Sequence, residues 1–374
     1  MKLSGIRVLD LSNFLPGPYL SLELADHGAE VIKIEQPDGD PGRHIGLSDG
    51  PHTVFFRNLN RGKKSIALNL KTGHDRDALL ELADSADVFI ESFRPGVAAR
   101  LGVDYATLAR RNPGLVYCSI SAFGQDGPYR DRPAHDLAIE ALTGALTLTA
   151  GPDAKPAIPN LPYADLLSGL QGLAGVLMAL LRRQATGKGD YIDIAMSDCM
   201  MAALRNVLGP TFAQQRAPEP GQDRTTGGSA FYRIYQTRDG GHIALAGQEP
   251  KFIHALLNAL DRPDLAPLCL QGPGPHQAPV VEFLEHTFRQ ATRAEWEARL
   301  EALDLCFGAV NTLPQALRDP QVQARGIVLH DPAGRPHIGS PIRFLDEPAA
   351  IQLESPALDQ HRDLLVSCPA SPSS

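Results

Sequence analysis

Residues 6–35 read IRVLDLSNFLPGPYLSLELADHGAEVIKIE, and this stretch predicts a β-strand, a helix and a second β-strand. The runs at 6–11 and 30–35 are rich in aliphatic and β-branched residues, which is typical of strands. Between them, Pro16 suits the first turn of a helix and Gly28 suits the position just after its end. A strand–helix–strand unit of this kind indicates an α/β domain built on a parallel sheet.

The same alternation of strand and helix patterns continues to about residue 200. Further strands are predicted at 65–70, 87–92 and 115–123, and helices at about 75–85, 97–101 and 165–185. After residue 230 the pattern changes to a hairpin, FYRIYQT to HIALA, followed by amphipathic helices at about 250–260, 279–290 and 293–303. The expected fold class is therefore α/β with a mostly parallel sheet in the large domain, plus a smaller α+β domain.

A polar stretch rich in proline and glycine, residues 213–229, marks the change between the two patterns. We therefore expect a large domain over 1–212 and a small domain over 225–325. Residues 326–374 are expected to return to the large domain and to end in a frayed, low-complexity tail.

Composition narrows the class of protein. The chain has 374 residues and a formal net charge of −8, so it offers no general attraction to nucleic acid or to an anionic membrane. Its five cysteines form no C-x-x-C pair, which argues against a disulfide framework and a structural zinc site. The N-terminus lacks a signal-peptide pattern, and the longest apolar run, 169–181, is too short to span a bilayer. We expect a cytoplasmic protein with no nucleic-acid or membrane partner.

The sequence has neither a G-x-G-x-x-G turn after its first strand nor a P-loop motif. In an open α/β sheet, ligands bind beyond the carboxyl ends of the strands, which directs attention to the loops at 12–18, 36–43, 92–96 and 121–135. Basic residues are concentrated in this part of the acidic chain, and either a phosphate-bearing ligand or ordinary solvated surface charge explains them. They are Arg43, Arg57, Arg61, Lys63, Lys64, Lys71, Arg94 and Arg100.

Three side chains are candidates for chemistry. His135 and Asp136 stand at the predicted start of a helix, after a loop rich in glycine and proline, and Asp165 precedes a long apolar helix. Histidine is suited to proton transfer near neutral pH. Each of these residues could instead be a helix cap, and the residues alone leave both interpretations open.

Six motifs together resemble the class III coenzyme A transferase and α-methylacyl-CoA racemase (CaiB/BaiF) family. They are VLDLSNFLPGPYLSLELADHGAEVIKIE (8–35), GKKSIALNLK (62–71), LADSADV (82–88), SFRPGVAARLG (92–102), FGQDGPY (123–129) and RRQATGKGDYIDIAMSD (182–198). The resemblance covers about residues 3–260 and resumes weakly at 319–326.

The resemblance implies a large CoA-binding domain, a small domain, and two chains interlocked as a homodimer. It also implies an acyl-CoA substrate whose CoA part is held by Leu68, Lys71, Ser92, Phe93 and Arg100. Many family members have arginine where this chain has Gln36, so a phosphate contact is expected to move to Arg43. No metal and no cofactor beyond the CoA of the substrate are implied.

The two branches of the family share the aspartate that corresponds to Asp165. Transferases commonly have tyrosine at the position of His135 and a glycine-rich loop near Glu249, whereas racemases have a histidine and a glutamate followed by proline. These markers favour a racemase of 2-methylacyl-CoA thioesters, with a place in fatty acid metabolism. The alternative is a transferase that moves CoA between carboxylic acids through an aspartyl-CoA intermediate at Asp165.

In the racemase interpretation, His135 and Asp165 move the α-proton on opposite faces of the substrate. Glu249 would orient His135 and stabilise its imidazolium form. The enolate needs hydrogen-bond donors aimed at the thioester oxygen, and the backbone N–H of Asp136 is one candidate.

Overall fold

The computed structural model describes residues 1–150 and 155–365, which form two compact units. The first unit comprises Met1–Thr143, Leu161–Ala203 and the described part of the chain from Pro320 onward. The second comprises the described residues of Gly144–Asn160 together with Leu204–Asp319. The domain boundaries expected at 212, 225 and 325 stay predictions, and the tail expected at 367–374 lies outside the described residues.

The strands are short, and most of them fall within the patterns read from the sequence. In chain order they are β1 (Arg7–Asp10), β2 (Glu30–Glu35), β3 (Ser48–Asp49), β4 (His52–Thr53), β5 (Lys64–Ala67), β6 (Val88–Glu91), β7 (Val116–Ser121), β8 (Tyr191–Ala195), β9 (Arg233–Gln236), β10 (His242–Leu245), β11 (Phe307–Ala309), β12 (Val328–His330) and β13 (Pro336–Ile338).

The first unit is organised around a six-stranded sheet in the order β5-β2-β1-β6-β7-β8, in which every neighbouring pair is parallel. Val8 of β1 stands opposite Val31 of β2 on one side and Val88 of β6 on the other. All four residues of β6 (VFIE) and five of the six residues of β2 (EVIKIE) are buried, as expected for parallel strands that are covered on both faces. The predicted α/β fold with a parallel sheet is confirmed, whereas the interlocked homodimer stays a prediction.

The helices connect these strands and fill the second unit. They are α1 (Pro16–Asp26), α2 (Val54–Asn60), α3 (Gly73–Asp84), α4 (Val97–Leu101), α5 (Tyr105–Arg111), α6 (Asp136–Leu142), α7 (Tyr163–Thr186), α8 (Met196–Ala203), α9 (Gly209–Gln214), α10 (Pro250–Ala259), α11 (Ala266–Cys269), α12 (Ala278–Phe288), α13 (Arg293–Glu301), α14 (Leu313–Ala316) and α15 (Pro320–Arg325), with 3₁₀ turns at Pro41–His44, Ala145–Thr149, Leu204–Asn206, Pro263–Leu265, Pro275–Gln277 and Arg362–Leu365.

Helices α1 and α7 pack closely, and this contact positions the start of α7. A Cβ atom at Gly169 would lie 2.7 Å from the backbone oxygen of Pro16, so only glycine permits this approach. Three further residues of α7, Gly172, Val176 and Leu180, are buried on the same face at helical spacing. Gly169 lies in the second turn of α7, so the approach holds that turn, which directly follows the turn containing Asp165, against the first turn of α1.

Helix α7 has 24 residues and, by length and composition alone, could cross a membrane. It is longer than the apolar run at 169–181 on which the expectation of no span was based. One such helix is weak support for a membrane protein, because a partly buried core helix meets the same criteria. The expected absence of a membrane partner stays a prediction.

The second unit has its own core, built on the antiparallel sheet β11-β10-β9. Tyr235 stacks on Phe288 with ring centroids 5.1 Å apart, and Trp296 lies 4.6 Å from the same phenylalanine. The indole N–H of Trp296 donates to the Phe288 carbonyl at 2.9 Å, which satisfies the polar end of a buried ring.

Candidate active site

A cavity of about 470 Å³ opens at the carboxyl ends of strands β1, β2, β5 and β6. This is the edge of an open α/β sheet at which ligands bind. Three of the predicted CoA-binding residues, Leu68, Lys71 and Phe93, line the cavity. Ser92 lies beside it, where its hydroxyl accepts a hydrogen bond from the backbone N–H of Asn13 at 3.1 Å.

Glu91, the last residue of β6, fixes the backbone at one wall of this cavity. Its carboxylate accepts from the N–H of Phe93 at 2.7 Å. Burial raises the pKa of Glu91 to about 7, despite its hydrogen bonds to Ser119 and Phe93. Sequence reasoning missed this residue, although an acidic side chain at the end of the apolar run DVFIE was a usable signal.

Arg43 is engaged within the protein, in contrast to the expected phosphate contact. Its guanidinium forms two hydrogen bonds of 2.7 Å with the carboxylate of Glu35, a third of 3.1 Å with the Pro356 carbonyl, and stacks over Phe56. The two guanidinium nitrogens that could donate to a phosphate as a fork, Nε and Nη2, already donate to Glu35. A phosphate-binding role for Arg43 stays a prediction without support from this arrangement.

Most of the basic residues that stood out in the sequence form ion pairs with protein carboxylates. Arg61 pairs with Asp26 and Lys63 with Asp10, and all four side chains are buried. Arg57 is buried as well and pairs with Asp49. Neither explanation offered by the sequence, a phosphate ligand or solvated surface charge, fits these three residues.

Asp136 acts as a cap, but for a helix other than its own. Its side chain accepts from the backbone N–H groups of Ala164 at 2.8 Å and Asp165 at 3.2 Å, in the first turn of α7. A carboxylate at this position satisfies two donors that the helix itself leaves unpaired. His135 precedes α6 at the N-cap position, and its side chain makes no capping hydrogen bond there.

The carboxyl group of Asp165 lies in the first turn of α7 and, among the described residues, accepts no hydrogen bond in the structure. Burial, together with the negative charge of Asp136, raises the pKa of Asp165 to about 7. A partly buried aspartate whose carboxyl group accepts no hydrogen bond and whose pKa is near 7 is suited either to attack an electrophile or to exchange a proton.

Phe14 lies against His135, with ring centroids 6.2 Å apart in an edge-to-face arrangement. Its backbone has φ of +63°, which is strained for a bulky residue by roughly 1–3 kcal/mol. Both residues are exposed, so the strain is not compensated by burial in a core. Strain of this kind clusters at binding and active sites, and it places Phe14 with His135 in the candidate site.

Glu249 lies in the second unit, at the N-cap position of α10. It is exposed and makes no side-chain capping hydrogen bond. Its expected pairing with His135 stays a prediction.

Comparison with known proteins identifies the family of this chain. The sequence profile of the family described as CoA-transferase family III matches residues 3–362. Acetyl-CoA:oxalate CoA-transferase of Acetobacter aceti is 34% identical, with 91% of this chain and 88% of that protein covered. Succinyl-CoA:glutarate CoA-transferase of Mus musculus is 31% identical, with 96% and 84% covered.

Solved structures support the same relationship. A CAIB/BAIF family protein from Brucella suis is 33% identical and superimposes with a TM-score of 0.85, with 97% of this chain and 99% of that chain covered. Rv3272 from M. tuberculosis is 31% identical, with a TM-score of 0.85 and 97% and 98% covered. The chain is thus an enzyme that belongs to CoA-transferase family III.

Proposed function

We propose that this protein transfers CoA from an acyl-CoA donor to a carboxylic acid acceptor, with Asp165 as the nucleophile. The observation behind the proposal is the division of roles between two aspartates, since Asp136 caps α7 and thereby leaves the carboxylate of Asp165 uncommitted. Two relatives are named acetyl-CoA:oxalate CoA-transferase and succinyl-CoA:glutarate CoA-transferase. These names support CoA transfer over the racemase activity that the sequence markers favoured. Racemase activity stays a prediction.

The reaction needs only groups that the substrates and Asp165 supply. The Asp165 carboxylate attacks the thioester carbonyl, which forms a mixed anhydride and releases CoA thiolate. The thiolate then attacks the Asp165 carbonyl, which gives an aspartyl-CoA thioester and frees the donor acid. The acceptor carboxylate repeats these two steps in reverse and leaves as its CoA thioester, which regenerates Asp165.

The direct test combines transfer and trapping. The full chain is incubated with succinyl-CoA or acetyl-CoA and with glutarate, oxalate or mesaconate, and new thioesters are followed by mass spectrometry. In the presence of hydroxylamine and donor, we expect a hydroxamate on Asp165 itself. Absence of both products with every donor and acceptor, in an enzyme that still binds CoA, would count against transfer.

Proton transfer is a second candidate function, and the placement of His135 is the observation that favours it. Asp136, the residue directly after His135, accepts a hydrogen bond from the backbone N–H of Asp165, and this proximity supports proton transfer by His135 and Asp165. A (2R)-2-methylacyl-CoA in deuterated water distinguishes the functions, because only a racemase exchanges the α-proton. Under transfer, His135→Ala retains most activity; under racemisation, it loses activity as fully as an Asp165 variant.

Transfer should depend on pH through Asp165. Since only the ionised carboxylate attacks, kcat/KM for the donor is expected to rise with pH and to level off above about 7. Asp136→Asn removes the charge that raises the pKa of Asp165 but keeps an amide oxygen that can accept the same N–H groups. The acid limb should therefore move to lower pH in this variant and stay in place in the exposed control Asp198→Asn. If the pH at which kcat/KM falls is the same in Asp136→Asn and in the wild type, Asp165 is not the group that controls this fall.

We extend the proposal to a homodimer. Helix α7 exposes an apolar face made of Leu170, Leu177, Met178 and Leu181, the last two with 68% and 69% of their surface accessible. A face of this kind marks an interaction surface. Light scattering should give twice the chain mass for the wild type and a smaller mass for Met178→Glu with Leu181→Glu; a monomeric wild type would refute the dimer.

A further inference from the structure

Two guanidinium groups face the same small region of surface next to Gly96. A Cβ atom at Gly96 would lie 3.6 Å from Nη1 of Arg100 and 3.7 Å from Nη2 of Arg130. Gly96 itself has φ of +80°, a conformation in which a side chain is unfavourable, so the space between the cations stays open. We refer to Arg100 and Arg130 as the arginine pair.

Arg130 is held in this position by the main chain. Its Nε donates to the carbonyl of Gln125 at 2.9 Å. Gln125 is anchored in turn, because its side chain donates to Ser119 Oγ at 2.9 Å and its N–H donates to Asp193 at 3.0 Å. These bonds connect the loop of Arg130 to strands β7 and β8 and leave Nη2 directed towards Gly96.

Protein carboxylates compensate the arginine pair only weakly. Arg130 approaches Asp131 through its other terminal nitrogen, Nη1, at 3.5 Å, and that carboxylate is 79% exposed. Arg100 has no carboxylate oxygen within 4.0 Å among residues 1–150 and 155–365. Two like charges brought close together repel each other, and an anion between them removes that repulsion.

The arginine pair lies at the rim of the cavity described above. Gly96 directly precedes Val97, and Val97, Phe93 and Leu101 all line the cavity. A ligand with its apolar or ring part in the cavity would place an attached anionic group beside Gly96. CoA has this combination of a ring system with phosphate groups.

We infer that Arg130 acts with Arg100 to bind a phosphate group of CoA, an assignment that rests on the proposed function. Neither the motifs of the sequence nor the family resemblance pointed to Arg130. Guanidinium N–H groups donate charge-assisted hydrogen bonds to phosphate oxygens, so Nη1 of Arg100 and Nη2 of Arg130 provide donors to an anion beside Gly96.

The test is isothermal titration of CoA into the full chain at low ionic strength, with no turnover required. Arg130→Gln is expected to raise the Kd for CoA about tenfold, the loss typical of a charge-assisted hydrogen bond. Arg132→Gln is the matched control, because it removes the same charge from an exposed position on the same loop, over the ring of Tyr129. The control is expected to change the Kd by less than about twofold.

Titration with 3′-dephospho-CoA identifies the phosphate. If Arg130→Gln and the wild type bind this ligand with the same Kd, the arginine pair binds the 3′-phosphate. If Arg130→Gln still has the higher Kd, the arginine pair binds the diphosphate. Arg130→Lys keeps the positive charge, so its Kd for CoA should fall between those of the wild type and Arg130→Gln. This variant shows whether the loss in Arg130→Gln comes from the charge rather than from a folding defect.

Unchanged CoA affinity in Arg130→Gln, or an equal loss in Arg130→Gln and Arg132→Gln, would overturn the inference. Failure of the wild type to bind CoA at all would instead overturn the proposed function.

Discussion

Asp165→Asn is expected to abolish CoA transfer while leaving the protein at least as resistant to urea at pH 8 as the wild type. An amide cannot form the anhydride, so kcat/KM should fall by about 10⁴-fold or more, the size of loss seen when a nucleophile is removed. The backbone N–H of Asp165, which binds Asp136, is unaffected by the substitution. Activity and stability should therefore separate.

The stability half of this prediction follows from the pKa of Asp165. Burial and Asp136 raise it to about 7 in the folded protein, so the folded state holds the proton more tightly than the unfolded chain does. The stability that this provides is complete below the pKa of the unfolded chain and is lost as pH rises through about 7. Asparagine has no charge to lose, so the advantage of Asp165→Asn over the wild type should grow from pH 4 to pH 8.

Urea midpoints at a series of pH values, measured together with donor turnover, test both halves. The exposed Asp198→Asn is the control and should change neither quantity. If Asp165→Asn lowers the midpoint at every pH and reduces turnover only in proportion, the carboxylate is structural and the nucleophile lies elsewhere.

The order of elements in the first unit was predictable because its signals are local. Strand β2 and helix α4 occur at the predicted residues, 30–35 and 97–101. Gly28, expected to follow the first helix, has φ of +104°, a conformation that favours glycine. Strand β11 was missed, since three residues at 307–309 form a strand only by pairing with β10 some 60 positions earlier in the chain.

The candidate site was only partly predictable, because the roles of its charges depend on distant partners. Arg61 and Lys63 were conspicuous as cations, but no local pattern connects Arg61 to Asp26 or Lys63 to Asp10. Asp136 could be recognised as a cap, yet the helix that it caps begins 27 residues later. Arg130, by contrast, became a candidate only through its position next to Gly96.

Asp10→Asn is expected to lower the free energy of unfolding by about 3–5 kcal/mol, the cost of leaving a buried charge unpaired. Asp10 is fully buried at the end of β1, where it accepts from Ser12, from Ser21 at 2.5 Å and from Lys63 at 3.2 Å. Although burial opposes ionisation, the charges of Lys63 and Lys33 and these hydroxyl donors lower the pKa of Asp10 to about 2. The stability that Asp10 contributes is therefore present above the pKa of the unfolded chain and lost as pH falls through about 2.

Asp84→Asn is the control, because it makes the same substitution in an ion pair with Arg111 that lies at the surface. Exposed pairs contribute about 0–1 kcal/mol, so urea unfolding at neutral pH should separate the two variants clearly. In a double variant, Lys63→Met removes the cation that Asp10→Asn leaves unpaired, so the double loss should be smaller than the sum of the two single losses. Equal losses for Asp10→Asn and Asp84→Asn would mean that the buried network contributes no more than a surface pair. The turn from Ser12 to Phe14 would then have to be held by the packing of α1 and α7 instead.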